Sequence, residues 1–182
     1  MRQTLLFAIA VSCACTALAA GPHEHGLAQV DIAVDAQRIT VTLETPLQNL
    51  LGFERAPRSD AERRAVADLA ARLRNASTLF RIDAGGACRA GQVELQSTAL
   101  GWGVAAAPAG QSARRKDADD AHADLDASFE FNCASAMRAG HIELGLFDAF
   151  ARLSRIEVQL ATSKGQTRST LRRPASRVLL GR

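Results

Sequence analysis

The sequence predicts an α+β fold: a single domain of antiparallel strands and hairpins, with one main helix over about 59–75 and a few short apolar helices. Three observations carry that class. Runs that alternate apolar and polar residues recur along the chain, as in QVDIAV, ITVTLE, LDASFEF and IEVQLAT. Only one stretch keeps helical spacing for several turns, with Val66, Leu69 and Leu73 on one side and arginines on the others. The third is the pair Cys88 and Cys133, all that remains of the cysteines once an export signal is set aside.

That signal is the first element. Arg2 gives a positive start, residues 5–18 are almost wholly apolar, and Ala17, Leu18 and Ala19 form the small-x-small pattern that a signal peptidase accepts. Residues 1–20 are therefore expected to be removed, leaving 21–182 as one exported domain. A lipid-attachment box at Cys13 is the rival reading. Against it, Ala10 stands where a larger aliphatic residue is usual, and the apolar run continues past the cysteine. No later segment approaches the ~20 apolar residues of a spanning helix. The mature protein is expected to be exported and soluble. In an oxidising compartment, one remaining cysteine pair is most simply one disulfide, closing a loop of roughly 45 residues. The alternative, two thiolates that help bind a metal, lacks any CxxC spacing.

The mature chain opens on His23, Glu24, His25 and Gly26, then LAQVDIAV, a turn at Asp35, Ala36 and Gln37, and ITVTLE: a hairpin. Pro46 ends it because it cannot donate to a ladder, and LQNLLGF reads as a short apolar turn or helix closed by Gly52. Ser59 and Glu62 have the spacing of a capping box at the start of the main helix. TLFRID, QVELQS and the region around Trp102 read as further strands, and about 104–121 as an exposed loop without apolar periodicity. LDASFEFNC points Cys133 to the same side as the phenylalanines; HIELG leads into the apolar LFDAFARL; IEVQLAT ends at a Lys164-Gly165 turn. TRSTLRR and RVLLGR read as edge strands. Strand, strand and apolar helix occur twice, after His25 and after His122, which suggests a duplicated β-β-α unit.

Composition excludes several function classes. The mature chain holds 21 basic against 19 acidic residues, the bases are scattered, there is no Tyr and the single Trp has no aromatic neighbours, so nucleic acid is not the expected partner. No G-x-S-x-G elbow, H-E-x-x-H helix, phosphate loop or activated cysteine is present, and no enzyme is predicted.

The histidines remain. In an extended segment residues i and i+2 point the same way, so His23 and His25 are able to offer two imidazoles to one ion, and zinc takes three or four N, O or S ligands. His122, between Asp120 and Asp124, and His141 are the candidates for the rest, with a neighbouring Asp ligating directly or orienting the ring. Bland readings stand beside these: a solvated tail for the HxH, a solvated loop for the acidic cluster, a structural role for His141. An amino-terminal copper site is excluded, because Pro22 has no amide proton to lose.

HEHGLAQVDIAVDAQRITVTLETPLQNLLGFERAPRSDAER, the pair Cys88 and Cys133, HADLDASFEFNC and ELGLFDAFARLSRIEVQLAT together resemble the DUF2796 (ZrgA-like) family of proteobacterial periplasmic proteins, over essentially the whole mature chain. The resemblance implies a periplasmic Zn(II)-binding protein, an accessory to zinc uptake or homeostasis that works beside a periplasmic component of a zinc importer. It places the family's HEHG on His23, Glu24, His25 and Gly26, and the histidine opening the second strand unit on His122. The chain departs from the family in its central loop, where GQSARRKDADDAH replaces a long His- and Asp-rich tract, so bulk zinc storage does not carry over. The alternative is an envelope scaffold or interaction protein on the same fold that binds no metal, and a hydrolase with an N-terminal metal is a third reading. Under the metal reading affinity falls as pH drops through the ordinary imidazole range near about 6.5.

Overall fold

A computed structural model describes residues 24–103 and 123–181. The signal segment 1–20 and the whole of the expected loop at about 104–121 lie outside them. Nine strands and four helices occur among the described residues. Two hairpins frame the larger sheet. β1 (Leu27–Val34) turns back into β2 (Arg38–Pro46), and β7 (Arg155–Thr162) into β8 (Gly165–Arg172). With β4 (Cys88–Gln96) and β5 (Asp124–Cys133) they form a six-stranded sheet in the order β4-β5-β2-β1-β7-β8. A smaller sheet, β3-β6-β9, consists of β3 (Phe80–Ile82), β6 (His141–Leu144) and β9 (Arg177–Leu179).

Period-two alternation fixes which face is buried. Val30, Ile32, Val41, Leu43, Phe129 and Val158 point inward from neighbouring strands, and the residues between them face solvent. The helices α1 (Leu47–Leu51), α2 (Asp60–Arg74), α3 (Ala76–Leu79) and α4 (Leu146–Ala149) join the smaller sheet in contributing to the same core. Phe80 of β3 sets its ring 4.8 Å from that of Phe129 of β5, so the two sheets meet through aromatic side chains. No described helix is long and apolar enough to cross a membrane.

The main helix starts as the capping box requires. Ser59 is the N-cap and its hydroxyl accepts from the Glu62 N–H. Asp60 and Glu62 lie in the first turn, Arg72 and Arg74 in the last, matching the helix dipole at both ends. Gly52, at φ +85°, ends α1 in the left-handed conformation, as its position after LQNLL predicts. Cys88 and Cys133 are bonded, and they are direct partners in the pairing of β4 with β5.

Two details differ from the expectation. One pairing is parallel: β1 runs beside β7 with Leu27 opposite Arg155, because the chain returns to the same end of the sheet through α4 before β7 begins. The second strand-strand-helix unit recurs in order but not in pairing. Beyond the disulfide at Cys133 a 3-10 turn over Ala136–Arg138 diverts the chain, and β6 pairs with β3 and β9 rather than with β5.

Candidate functional site

The starts of β1 and β5 flank the end of β2 at one end of the large sheet. Asp124 pairs with Pro46, and the Leu47 N–H at the start of α1 donates to the Ala123 carbonyl at 2.9 Å. On the other side of β2, Thr45 donates its hydroxyl to the Leu27 carbonyl at 3.0 Å. Two strand spacings, about 10 Å, therefore separate Asp124 from the start of β1.

Asn49 closes this end from inside. It is the lone polar residue facing the core from PLQNLLGF, only 2 % exposed, and it is fully used. Its amide nitrogen donates to the Leu27 carbonyl at 2.8 Å and to the Thr45 hydroxyl at 2.9 Å, and its Oδ1 accepts from the Gly26 N–H at 2.7 Å. The Gly26 carbonyl accepts from the N–H of Ser154 at 2.8 Å and of Arg155 at 3.0 Å. Gly26 sits at φ +83°, and a Cβ there would lie 2.6 Å from Ser154 Oγ, so the position demands glycine on two counts. The HEHG segment thus enters the sheet with its backbone held on both sides.

Outside that network lies His25, 71 % exposed, with Nε2 3.6 Å from Glu54 Oε1. Glu54 follows Gly52 and Phe53 on the connection from α1 to α2, and its neighbour Arg55 is locked. The Arg55 guanidinium makes two hydrogen bonds to the Glu62 carboxylate, at 2.8 and 2.9 Å, and lies 5.1 Å from the centre of the Phe53 ring. Those bonds, joined by the Arg58 N–H at 2.6 Å, hold the Glu62 carboxyl down at about 2. The same pairing raises the Arg55 guanidinium above its ordinary value. Glu24 is occupied differently: its carboxylate takes an ion pair from Arg155 across the parallel β1-β7 junction.

His141 lies elsewhere. It opens β6, with Nδ1 3.5 Å from Asp83 Oδ2, beside the 3-10 turn over Ala84–Gly86 that precedes Cys88. Asp83 Oδ1 accepts from the Gly85 N–H at 2.7 Å, and the Asp83 N–H donates to the His141 carbonyl at 3.0 Å. The disulfide that follows this turn lies at the far end of β5 from Asp124, about 30 Å along the ten-residue strand. His25 and His141 are not brought together.

Of the other residues singled out in the sequence, His23, Asp120 and His122 fall outside the described residues, and Asp124 is half-buried at the start of β5. No group of three or more His, Cys, Asp and Glu converges among the described residues. Sequence reasoning missed Glu54 and Asn49. Asn49 carried a signal, a single amide inside an apolar run; Glu54 carried none, because a carboxylate three residues past a helix end is ordinary.

A family model described as ZrgA family zinc uptake protein matches residues 22–180. No curated protein matches the chain.

Proposed function

The chain belongs to the ZrgA family of zinc uptake proteins, and from that premise we propose that it is a periplasmic Zn(II)-binding protein, accessory to uptake, with a site built around His25 and Glu54. The observation that carries this reading is the 3.6 Å between His25 Nε2 and Glu54 Oε1. Two ligands each about 2.1 Å from a tetrahedral zinc ion stand about 3.4 Å apart. An imidazole nitrogen and a carboxylate oxygen, both donors that zinc accepts, therefore already lie near the length of one edge of a coordination shell.

Two donors leave two positions. His23 precedes His25 by two residues, and His122 with Asp120 immediately precedes Ala123, which is bonded to the start of α1. His23 and His122 complete the proposed ligand set, with Asp120 and Asp124 as orienting carboxylates; His141 has no part in it. A site on the rim suits a carrier, since an ion held at the surface passes readily to the periplasmic component of an importer. Zinc competes with protons for imidazole nitrogen, so binding weakens on acidification. Calorimetric titration with zinc at neutral and at mildly acid pH tests the reading. One site at neutral pH that weakens in acid is expected, and no heat with micromolar zinc at either pH would sink the proposal.

A second reading, an envelope scaffold that needs no metal, is favoured by the outer edge of β8, with which no described strand pairs. It requires that His25→Ala combined with His122→Ala leave partner binding intact.

A further inference from the structure

The two edges of the large sheet are unlike. β4 is an awkward template: its pairing with β5 breaks register between Ala90 and Val93, Cys88 is tied into the disulfide, and just past its end Ser97 bridges to Trp102. β8 has none of these devices. Its eight residues pair in unbroken register with β7, it contains no proline, and no described strand pairs with its outer edge. Beside it a groove of about 410 Å³ separates β8 from β9, itself the edge of the smaller sheet.

The core is thinly covered at this groove. Leu160, Leu171, Val178 and Leu180 are 6 to 8 % exposed, whereas Val30, Val41 and Phe129 are fully covered, and Leu179 on the groove wall is 48 % exposed. Alternation sorts the two faces of β8. Leu171, Ser169 and Thr167 stand opposite the buried Ile156, Val158 and Leu160 of β7 and so share the groove face, while Arg168 and Arg172 alternate with them, Arg168 also bordering the groove. The charge is one-sided. No carboxylate lines the groove; Arg168 bonds only the neutral Gln159 Oε1, at 3.1 Å; and Lys164, Arg168 and Arg172 enter no ion pair among the described residues.

We propose that β8 is a docking edge for an extended segment of a partner protein in which acidic and apolar residues alternate. The segment adds to the sheet as a seventh strand. Its apolar side chains enter the groove over Leu160, Leu171 and Val178, and its carboxylates lie beside Arg168 and Arg172 on the outer face. A second copy of this chain fits poorly: an antiparallel β8-to-β8 pairing sets Arg168 and Arg172 against the same basic face, with no acid to offset them.

The probe is a capped octapeptide of alternating Glu and Val, measured by fluorescence anisotropy against the full chain. Binding is expected, and Arg168→Glu with Arg172→Glu should weaken it at least about tenfold. The Lys/Val peptide should not bind. Two further peptides carry N-methyl groups on alternate residues, one on the Glu and one on the Val positions. Strand addition needs the donors on one side only, so one of the two should lose at least about tenfold and the other should not. Equal binding by both methylated peptides, or by the Glu/Val and Lys/Val peptides, overturns the proposal, as does the absence of binding to the Glu/Val peptide. A concentration-dependent dimer in sedimentation that Arg168→Glu strengthens or leaves unchanged but Leu179→Ser abolishes assigns the edge to a second copy and also overturns it. His25→Ala is expected to leave peptide binding unchanged, so failure here and failure of the zinc reading remain distinct.

Discussion

Each end of the large sheet holds a histidine beside a carboxylate at almost the same distance, 3.6 Å for His25 and Glu54 and 3.5 Å for His141 and Asp83. Distance alone would rank them equally. Their surroundings do not. Asp83 already accepts from the Gly85 N–H and bonds through its backbone to His141, so that pair braces the turn leading into the disulfide. Glu54 has no such second duty among the described residues, and His25 projects from a backbone pinned by Asn49 and Ser154. A pair with spare lone pairs on a rigid base suits the proposed binding role; a pair whose atoms are engaged suits a brace. Mutations that separate stability from metal affinity test this division.

The disulfide end should dominate stability. Replacing Cys88 and Cys133 by alanine opens a loop with a sequence separation of 45, which in the loop-entropy description costs about 4 kcal/mol. The midpoint of urea unfolding should fall accordingly, while zinc affinity of the folded fraction stays unchanged. A comparable loss of zinc affinity would show that the two ends are coupled.

Asn49→Ala should cost about 1 to 3 kcal/mol, because it strands the buried Gly26 N–H and leaves the Leu27 carbonyl with the Thr45 hydroxyl as its remaining side-chain donor. Unlike loss of the disulfide, it should also weaken zinc binding, since it frees the backbone that presents His25. Calorimetry on the folded variant separates the two effects. Affinity equal to that of the parent protein would mean that the network braces the fold without positioning the site.

Strand alternation, the capping box and the lone cysteine pair were legible because each is local: a period of two, an S-x-x-E spacing, a count. So was the α+β class. The parallel pairing of β1 with β7 was not, because partner choice depends on where the chain returns after α4, and no short-range pattern encodes it. Similarly, β5 and β6 read as a copy of β1 and β2, yet the intervening turn sends β6 to another sheet. Within the proposed site, His25 was singled out by its spacing with His23, whereas Glu54 comes beside it only through the turn at Gly52 and the Arg55 lock.

The histidine pairs should then differ in kind. His25→Ala is expected to lower zinc affinity at least about tenfold, the lower bound for even an outer partner of a metal ligand, without moving the unfolding midpoint. His141→Ala should do the reverse, leaving zinc binding intact and costing less than about 1 kcal/mol, as for a partly exposed pair. Reversed outcomes would move the site to the disulfide end.

The remaining comparison tests what holds Glu54 in place. Ser59→Ala removes the helix cap and should cost about 1 kcal/mol. Glu62, bonded first by Arg55 and then by the Arg58 N–H, has its folded value lowered from 4.5 to about 2. A depressed carboxyl stabilises the fold fully above 4.5, and that contribution is lost as pH falls towards 2. Glu143, lowered by Arg177 and then Arg81, acts in the same direction from the smaller sheet and is the internal control. Stability measured by urea unfolding should therefore decline below 4.5 in the parent protein and decline less steeply in Glu62→Gln, where only the Glu143 share remains. At neutral pH Glu62→Gln should also weaken zinc binding slightly, by loosening Arg55 next to Glu54. A steeper acid decline in the variant would reverse the sign of the linkage and remove Arg55 and Glu62 as the lock on this end of the sheet.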